Sequence, residues 1–246
     1  MSNENKAPFF VGYLQTPAAL KRFYRVIFPV LLLSGVGVAF AISSAQETDG
    51  SGSWDPATTE SMEGFLTVSP YPVLHTADGR SVLLVRVGKF SANEIAEAYA
   101  NQHVSIKGAP IERGGWRMLE LSKPDAIQSW TPSVAIAPPA VQPGETVTLA
   151  GEIVDSKCFL GVMNPGAGKV HRACAAMCLT GGMPPMLVIT DAAGDRYGYM
   201  LTTTEGTSAS QLLVPDVAVP VNVTGTLEQR GDLTYIRLQD NGVQRL

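Results

Sequence analysis

VSIKGAPIERGGWRMLEL (Val104–Leu121) and VNVTGTLEQRGDLTYIRL (Val221–Leu238) superimpose at an offset of 117 residues, with Val104/Val221, Gly108/Gly225, Arg113/Arg230, Gly114/Gly231 and Leu121/Leu238 identical. Each stretch alternates apolar and polar residues, turns at an Arg-Gly pair and alternates again, which is a hairpin pattern. Upstream at the same offset, Ser91-Ala-Asn-Glu94 meets Ser208-Ala-Ser-Gln211. Both have the form of a capping box, in which the hydroxyl accepts from the N3 amide and the Glu or Gln reaches back. Asp78 and Asp195 pair as well, each in a turn before an apolar run. Two independent local devices in one register point to a duplication.

Each copy reads as three strands, a short helix and a hairpin. That order resembles an OB-fold, a five-stranded barrel with a helix between its third and fourth strands. The first strands break the register, because Gly64-Phe-Leu-Thr-Val68 best matches Gly151-Glu-Ile-Val-Asp155 at an offset of 87. The second copy is therefore expected to carry 117 − 87 = 30 extra residues between its first and second strands. In an OB-fold this loop borders the ligand-binding face, and functional residues gather on loops held by a rigid scaffold.

Outward from the repeat, the chain has 246 residues, 18 Lys+Arg against 22 Asp+Glu, 16% charged residues and a mean hydropathy of +0.11. The apolar excess is concentrated in Val26–Ala45, VIFPVLLLSGVGVAFAISSA, twenty residues without a charge. At about 1.5 Å per residue this spans roughly 30 Å of hydrocarbon. No second run of that length exists, which excludes a polytopic transporter. Lys6, Lys21, Arg22 and Arg25 precede it against Glu4, whereas Glu47, Asp49 and Asp55 follow it before any basic residue. The positive-inside rule then places the N-terminus in the cytoplasm and the bulk of the chain in the periplasm of a bacterial inner membrane. A cleaved signal peptide ending at Ser43-x-Ala45 is the competing reading, against which the apolar stretch is long.

The expected organisation is mostly β: a cytoplasmic tail (1–25), one transmembrane helix (26–45), a flexible tether (46–63), a first OB-like barrel (64–131), a Pro-rich linker (132–143) and a second OB-like barrel (144–246). The outward part carries a net charge of −4 − 3 = −7 and no Lys/Arg cluster, so no nucleic-acid partner is expected.

All three cysteines fall in the insertion, at 155–185, which reads DSKCFLGVMNPGAGKVHRACAAMCLTGGMPP. Lys169–Leu179 is Ala-rich and lacks Gly and Pro, so a short helix closed by Gly181-Gly182 is expected. On it His171, Cys174 and Cys178 lie at i, i+3 and i+7, within about 60° of one another. Cys158 reaches over from the preceding loop. Cys158, His171, Cys174 and Cys178 thus form a Cys3His set suited to zinc or copper, although the spacing C-x12-H-x2-C-x3-C is not a strong zinc signature. Met163, Met177, Met183 and Met186 crowd the same stretch and would favour copper, or serve as core filler.

Two alternatives stay open: a stapling disulfide with one spare thiol, and thiol–disulfide exchange by Cys174 or Cys178. Lys157 or Arg172 would lower a neighbouring thiol's pKa. His75 and His103 read as plain surface or hairpin residues. No C-x-x-C-H occurs for haem c. PGAGKV lacks the leading Gly and the Ser/Thr of a phosphate loop, so no nucleotide is expected. No catalytic residue is assigned, and the chain reads as more a binding protein than an enzyme. The DSKC and HRACAAMC segments together with the N-terminal anchor resemble bacterial membrane-anchored periplasmic proteins. That resemblance implies a protein partner, an accessory or assembly role in a respiratory or other oxidoreductase complex.

Overall fold

The computed structural model describes residues 16–45, 52–192 and 196–246. Helix α1 (Ala18–Ala45) is long and apolar enough over Leu20–Ser44 to cross a membrane, as a span or as a signal sequence. It starts well before the apolar run, so Pro29 sits inside the helix. The proline ring there leaves a carbonyl one turn earlier without its usual partner.

From residue 52 onward the chain builds two closed barrels. Strands β1 (Ser53–Trp54), β2 (Glu60–Thr67), β3 (Val73–Thr76) and β4 (Ser81–Arg86) precede a short helix, α2 (Asn93–Ala96), followed by β5 (Gln102–Arg113), β6 (Trp116–Leu121) and β7 (Ile127–Ser129). Strands β2, β3, β4, β6 and β5 close on themselves in that order, with β4 and β6 parallel, while β1 and β7 add to β5. The second barrel follows the same path through β8 (Val141–Asp155), β9 (Pro185–Thr190), β10 (Arg196–Thr202), β12 (Leu233–Arg245) and β11 (Pro220–Arg230), with helix α3 (Arg172–Thr180) between β8 and β9. Both are OB-like.

The registers carry the duplication residue by residue. Leu83 opposite Met118 recurs as Met200 opposite Tyr235, and Ala109 opposite Glu120 as Thr226 opposite Arg237, all at 117. Gly64 opposite Val104 recurs as Gly151 opposite Val221, which confirms the offset of 87 for the first strand. The repeated glycines have a steric cause. A Cβ on Gly64 would stand 2.4 Å from the His75 carbonyl oxygen, and one on Gly151 2.5 Å from that of Val188. Gly114 and Gly231 both hold positive φ, 54° and 64°, at the hairpin tip, where a side chain would be strained.

Second strands match at neither offset. Val73 opposite Leu83 recurs as Met186 opposite Met200, an offset of 113. The insertion between first and second strands is therefore 113 − 87 = 26 residues, and the other four lengthen the β9–β10 hairpin. Asp195 lies outside the described residues.

The capping boxes do not form. Ser91 Oγ accepts from Asn93 N, two residues on, and Glu94 pairs with Arg86 instead of turning back. In the second copy the region is turns rather than helix, and Gln211 donates to the Thr180 carbonyl. Pro215 shortly after the Ser208 start denies the segment room to propagate a helix.

The expected tether is ordered over its described part. Trp54 packs against the core and donates from Nε1 to Glu120 at 3.2 Å, and β2 begins at Glu60. An indole that reaches both an apolar surface and a buried carboxylate outweighs the Gly/Ser-rich composition around it. The Pro-rich stretch is likewise tied down, since His103 Nε2 meets Ile136 at 3.0 Å and β8 takes up Val141 to Pro143.

Each barrel has its own interior, Leu66, Leu74, Leu84 and Leu119 in the first and Ile153, Leu187, Leu201 and Ile236 in the second. A third core joins them: Val73, Leu83, Val85 and Met118 meet Val154, Met186, Met200 and Tyr235. Leu83 and Met200 are equivalent positions, as are Met118 and Tyr235. The face over the second and third strands, which in OB-folds receives oligonucleotides and oligosaccharides, is thus consumed by barrel–barrel packing in both copies.

Candidate functional site

Helix α3 ends in a Schellman motif: Met183 N donates to Cys178 O at 3.0 Å and Gly182 N to Leu179 O at 2.9 Å, with Gly182 at φ +84°. The expected Gly-Gly closure holds for that reason. His171 sits at the N-terminal boundary of the helix, so His171, Cys174 and Cys178 follow one another along one side of it, Cys178 and His171 buried and Cys174 half-buried. Cys158 lies on the tight turn Cys158–Val162 that leaves β8.

Asp155, the last residue of β8, joins the two segments. Fully buried, it accepts from Cys158 N at 2.9 Å through Oδ1 and meets His171 Nε2 at 3.0 Å through Oδ2. The imidazole is thereby fixed, and its Nδ1 is left for another partner. Ligand atoms of Cys158, His171 and Cys174 lie within 4.8 Å of one another, and those of Asp155, Cys158 and Cys178 form a second such set. Cys158 Sγ and Cys174 Sγ are 3.9 Å apart, and no disulfide is formed: all three thiols are free. The cluster is able to hold a metal ion.

Of the four residues singled out in the sequence, Cys158, His171 and Cys174 share one ligand set, whereas Cys178 groups with Asp155 and Cys158 instead; the cation beside them is also not the expected one. Lys157 turns away, its ammonium paired with Glu120 and donating to the carbonyls of Arg86 and Gly88 at 2.9 and 2.8 Å. Arg172 donates to the Pro215 carbonyl. Lys89, on the loop after β4 of the first barrel, reaches the thiols instead, 2.7 Å from Cys174 Sγ and 3.7 Å from Cys178 Sγ. That loop is held against the end of α3 by Ser91 N donating to Gly181 O at 2.9 Å. No spacing in the sequence pairs Lys89 with cysteines 85 and 89 residues on; only the way the barrels face each other does.

Protonation is uneven. The hydrogen bond Cys158 donates to Cys178, with burial and the Asp155 charge, pushes the Cys158 thiol up. The same bond holds Cys178 below the ordinary thiol range, helped by Lys89 and opposed by burial. The pair thus favours a thiolate at Cys178 with the proton on Cys158.

Of the methionines, Met183 and Met186 are fully buried in the core between the barrels, whereas Met163 and Met177 are exposed. His75, expected as a surface or hairpin residue, does lie in a hairpin strand, but it is buried there between Thr67 and Ser81.

Comparison with protein-family models, with curated proteins and with solved structures finds no match to this chain.

Proposed function

We propose that the protein is a membrane-anchored metal-binding subunit, exposed on the periplasmic side of a bacterial inner membrane, that serves as an accessory or assembly partner of an oxidoreductase complex. Cys158, His171 and Cys174 hold one thiophilic ion, zinc or copper, and Cys178 completes a Cys3His set. The observation that carries this reading is the carboxylate–imidazole pair. Ligating histidines almost always give their other ring nitrogen to a carboxylate or carbonyl, which fixes tautomer and orientation, and Asp155 does this for His171 from a fully buried position. The sulfur spacing agrees: two thiolates on a tetrahedral zinc at about 2.3 Å stand about 3.8 Å apart, against 3.9 Å for Cys158 and Cys174. The Lys89 ammonium offsets part of the charge that three thiolates bring to a divalent ion.

Full-length protein in detergent micelles, purified anaerobically, is expected to carry about one metal equivalent per chain by elemental analysis, reduced at least tenfold in Cys174→Ser. A wild-type chain that takes up neither zinc nor copper(I) sinks the reading.

The 3.9 Å approach of Cys158 and Cys174 beside a Cys178 thiolate favours one second reading, thiol–disulfide exchange with a partner. Mixed disulfides trapped on single Cys→Ser variants, in a chain that binds no metal, distinguish it.

A further inference from the structure

Lys89 Nζ lies 2.7 Å from Cys174 Sγ. Even a charge-assisted N–H···O bond runs at about 2.7–2.9 Å, and sulfur is a larger atom than oxygen, so an ammonium that merely donates to sulfur belongs farther out. The 3.7 Å separation from Cys178 Sγ is of that kind. A single oxygen atom bonded to both nitrogen and sulfur brings them to the shorter spacing. Backbone packing keeps the two segments together: a Cβ on Gly181 would stand 1.7 Å from the Lys89 carbonyl oxygen, so the loop and the end of α3 are in direct contact. Both side chains are half-buried, and Cys174 is the one cysteine that is not fully buried, which leaves it open to a small oxidant.

We propose that Lys89 and Cys174 form a covalent N–O–S bridge, with dioxygen as the oxidant. One N–H bond, the S–H bond and the O–O bond break, and one N–O and one O–S bond form. Amine, thiol and dioxygen give the bridge and one water. The side-chain pair loses four electrons, which reduce the two oxygen atoms. Two equivalents of a dithiol reverse the reaction, returning amine, thiol and one water. The bridge links the two barrels and withdraws Cys174 from the metal-ligand set, so oxidation and metal occupancy oppose each other. It does not require that metal be bound.

The test uses full-length protein in detergent micelles, one half kept anaerobic with dithiothreitol and the other exposed to air, both digested with trypsin and mapped by mass spectrometry. The aerobic half is expected to yield a linked peptide pair joining Lys89 to Cys174, with trypsin blocked at Lys89 and a gain of about 14 Da, one oxygen less two hydrogens. The pair is expected to vanish on reduction and in Lys89→Arg, and to persist in Lys169→Arg. Three outcomes overturn the proposal: unlinked Lys89 and Cys174 in the aerobic wild type; a Cys158–Cys174 disulfide in its place; or oxidation confined to the Cys174 sulfur with normal cleavage at Lys89. Because the wild type alone decides, a variant that fails to fold does not obscure the answer. Mass is read without metal, so the failure of the bridge and the failure of the metal site are separate results.

Discussion

The two barrels share one strand plan and differ most in one loop. Their hairpins, parallel third and fifth strands and first-strand pairings coincide residue for residue, yet the loop from the first strand to the second is 26 residues longer in the second copy. The first barrel uses its short version to send Tyr71 across, where the phenol donates to Leu201 O at 2.5 Å and accepts from Ala209 N at 2.9 Å. The second uses its long version to carry Asp155, Cys158, His171, Cys174 and Cys178. A duplicated scaffold freed one copy's loop to diverge, while both copies kept the face that holds them together. The unmodified barrel still contributes to the chemistry, since the ammonium over the thiols comes from it.

The largest effect expected from breaking this arrangement lies at the bolt between the long loop and the first barrel. Lys157 and Glu120 are both buried, and Glu120 has Trp54 as its other partner. Lys157→Met leaves a buried carboxylate without its counter-charge, and is expected to cost about 3–5 kcal/mol, read as a lower urea midpoint; Lys157→Met with Glu120→Gln should recover most of it. An unchanged midpoint in the single variant would mean that the loop is not anchored there.

A middle-sized effect compares equivalent positions in the second strands, His75 and Val188. Burial pushes His75 down to about 4, against a smaller opposing pull from Asp232. The unfolded chain takes up the proton near pH 6.5 and the folded one does not. Stability is therefore whole above about 6.5, falls as pH drops toward about 4, and falls no further from this group. The loss should amount to about 1–3 kcal/mol, and His75→Val, which copies the second barrel, should remove it. Urea titrations at pH 7.5, 5.5 and 4.5 on the two proteins measure the difference; parallel curves would discount His75.

The smallest effect concerns the paired capping signals. Because Glu94 lies on an exposed ion pair with Arg86 rather than on its own helix N-terminus, Glu94→Ala is expected to change stability by less than about 0.5 kcal/mol, where a working cap would cost about 1 kcal/mol. Thermal unfolding of the variant separates the two.

That last case marks the limit of reading local signals. Ser91-x-x-Glu94 and Ser208-x-x-Gln211 are legible as helix starts, but Glu94 found Arg86 and Gln211 found Thr180, partners supplied by the fold. Gln46 to Glu63 has the composition of a tether, yet Trp54 within it is held by Glu120, a residue more than sixty positions away. His75 reads as a surface or hairpin residue, and nothing in its hairpin pattern foretells its burial near Asp232 of the second barrel.

Sequence alone determined the apolar N-terminal helix, the repeat with its two offsets, the OB-like strand order and the placing of Cys174 and Cys178 on one helix with His171 at its start. These follow from periodicity, turn glycines and composition, which act over a few residues at a time. Tertiary structure alone decided that matching faces of the barrels bury each other, that Asp155 orients His171 and that Lys89 lies on Cys174. Those contacts join segments from 16 to 130 residues apart in sequence, and for those between the barrels the burial of apolar surface, a force without direction in the chain, is what sets them.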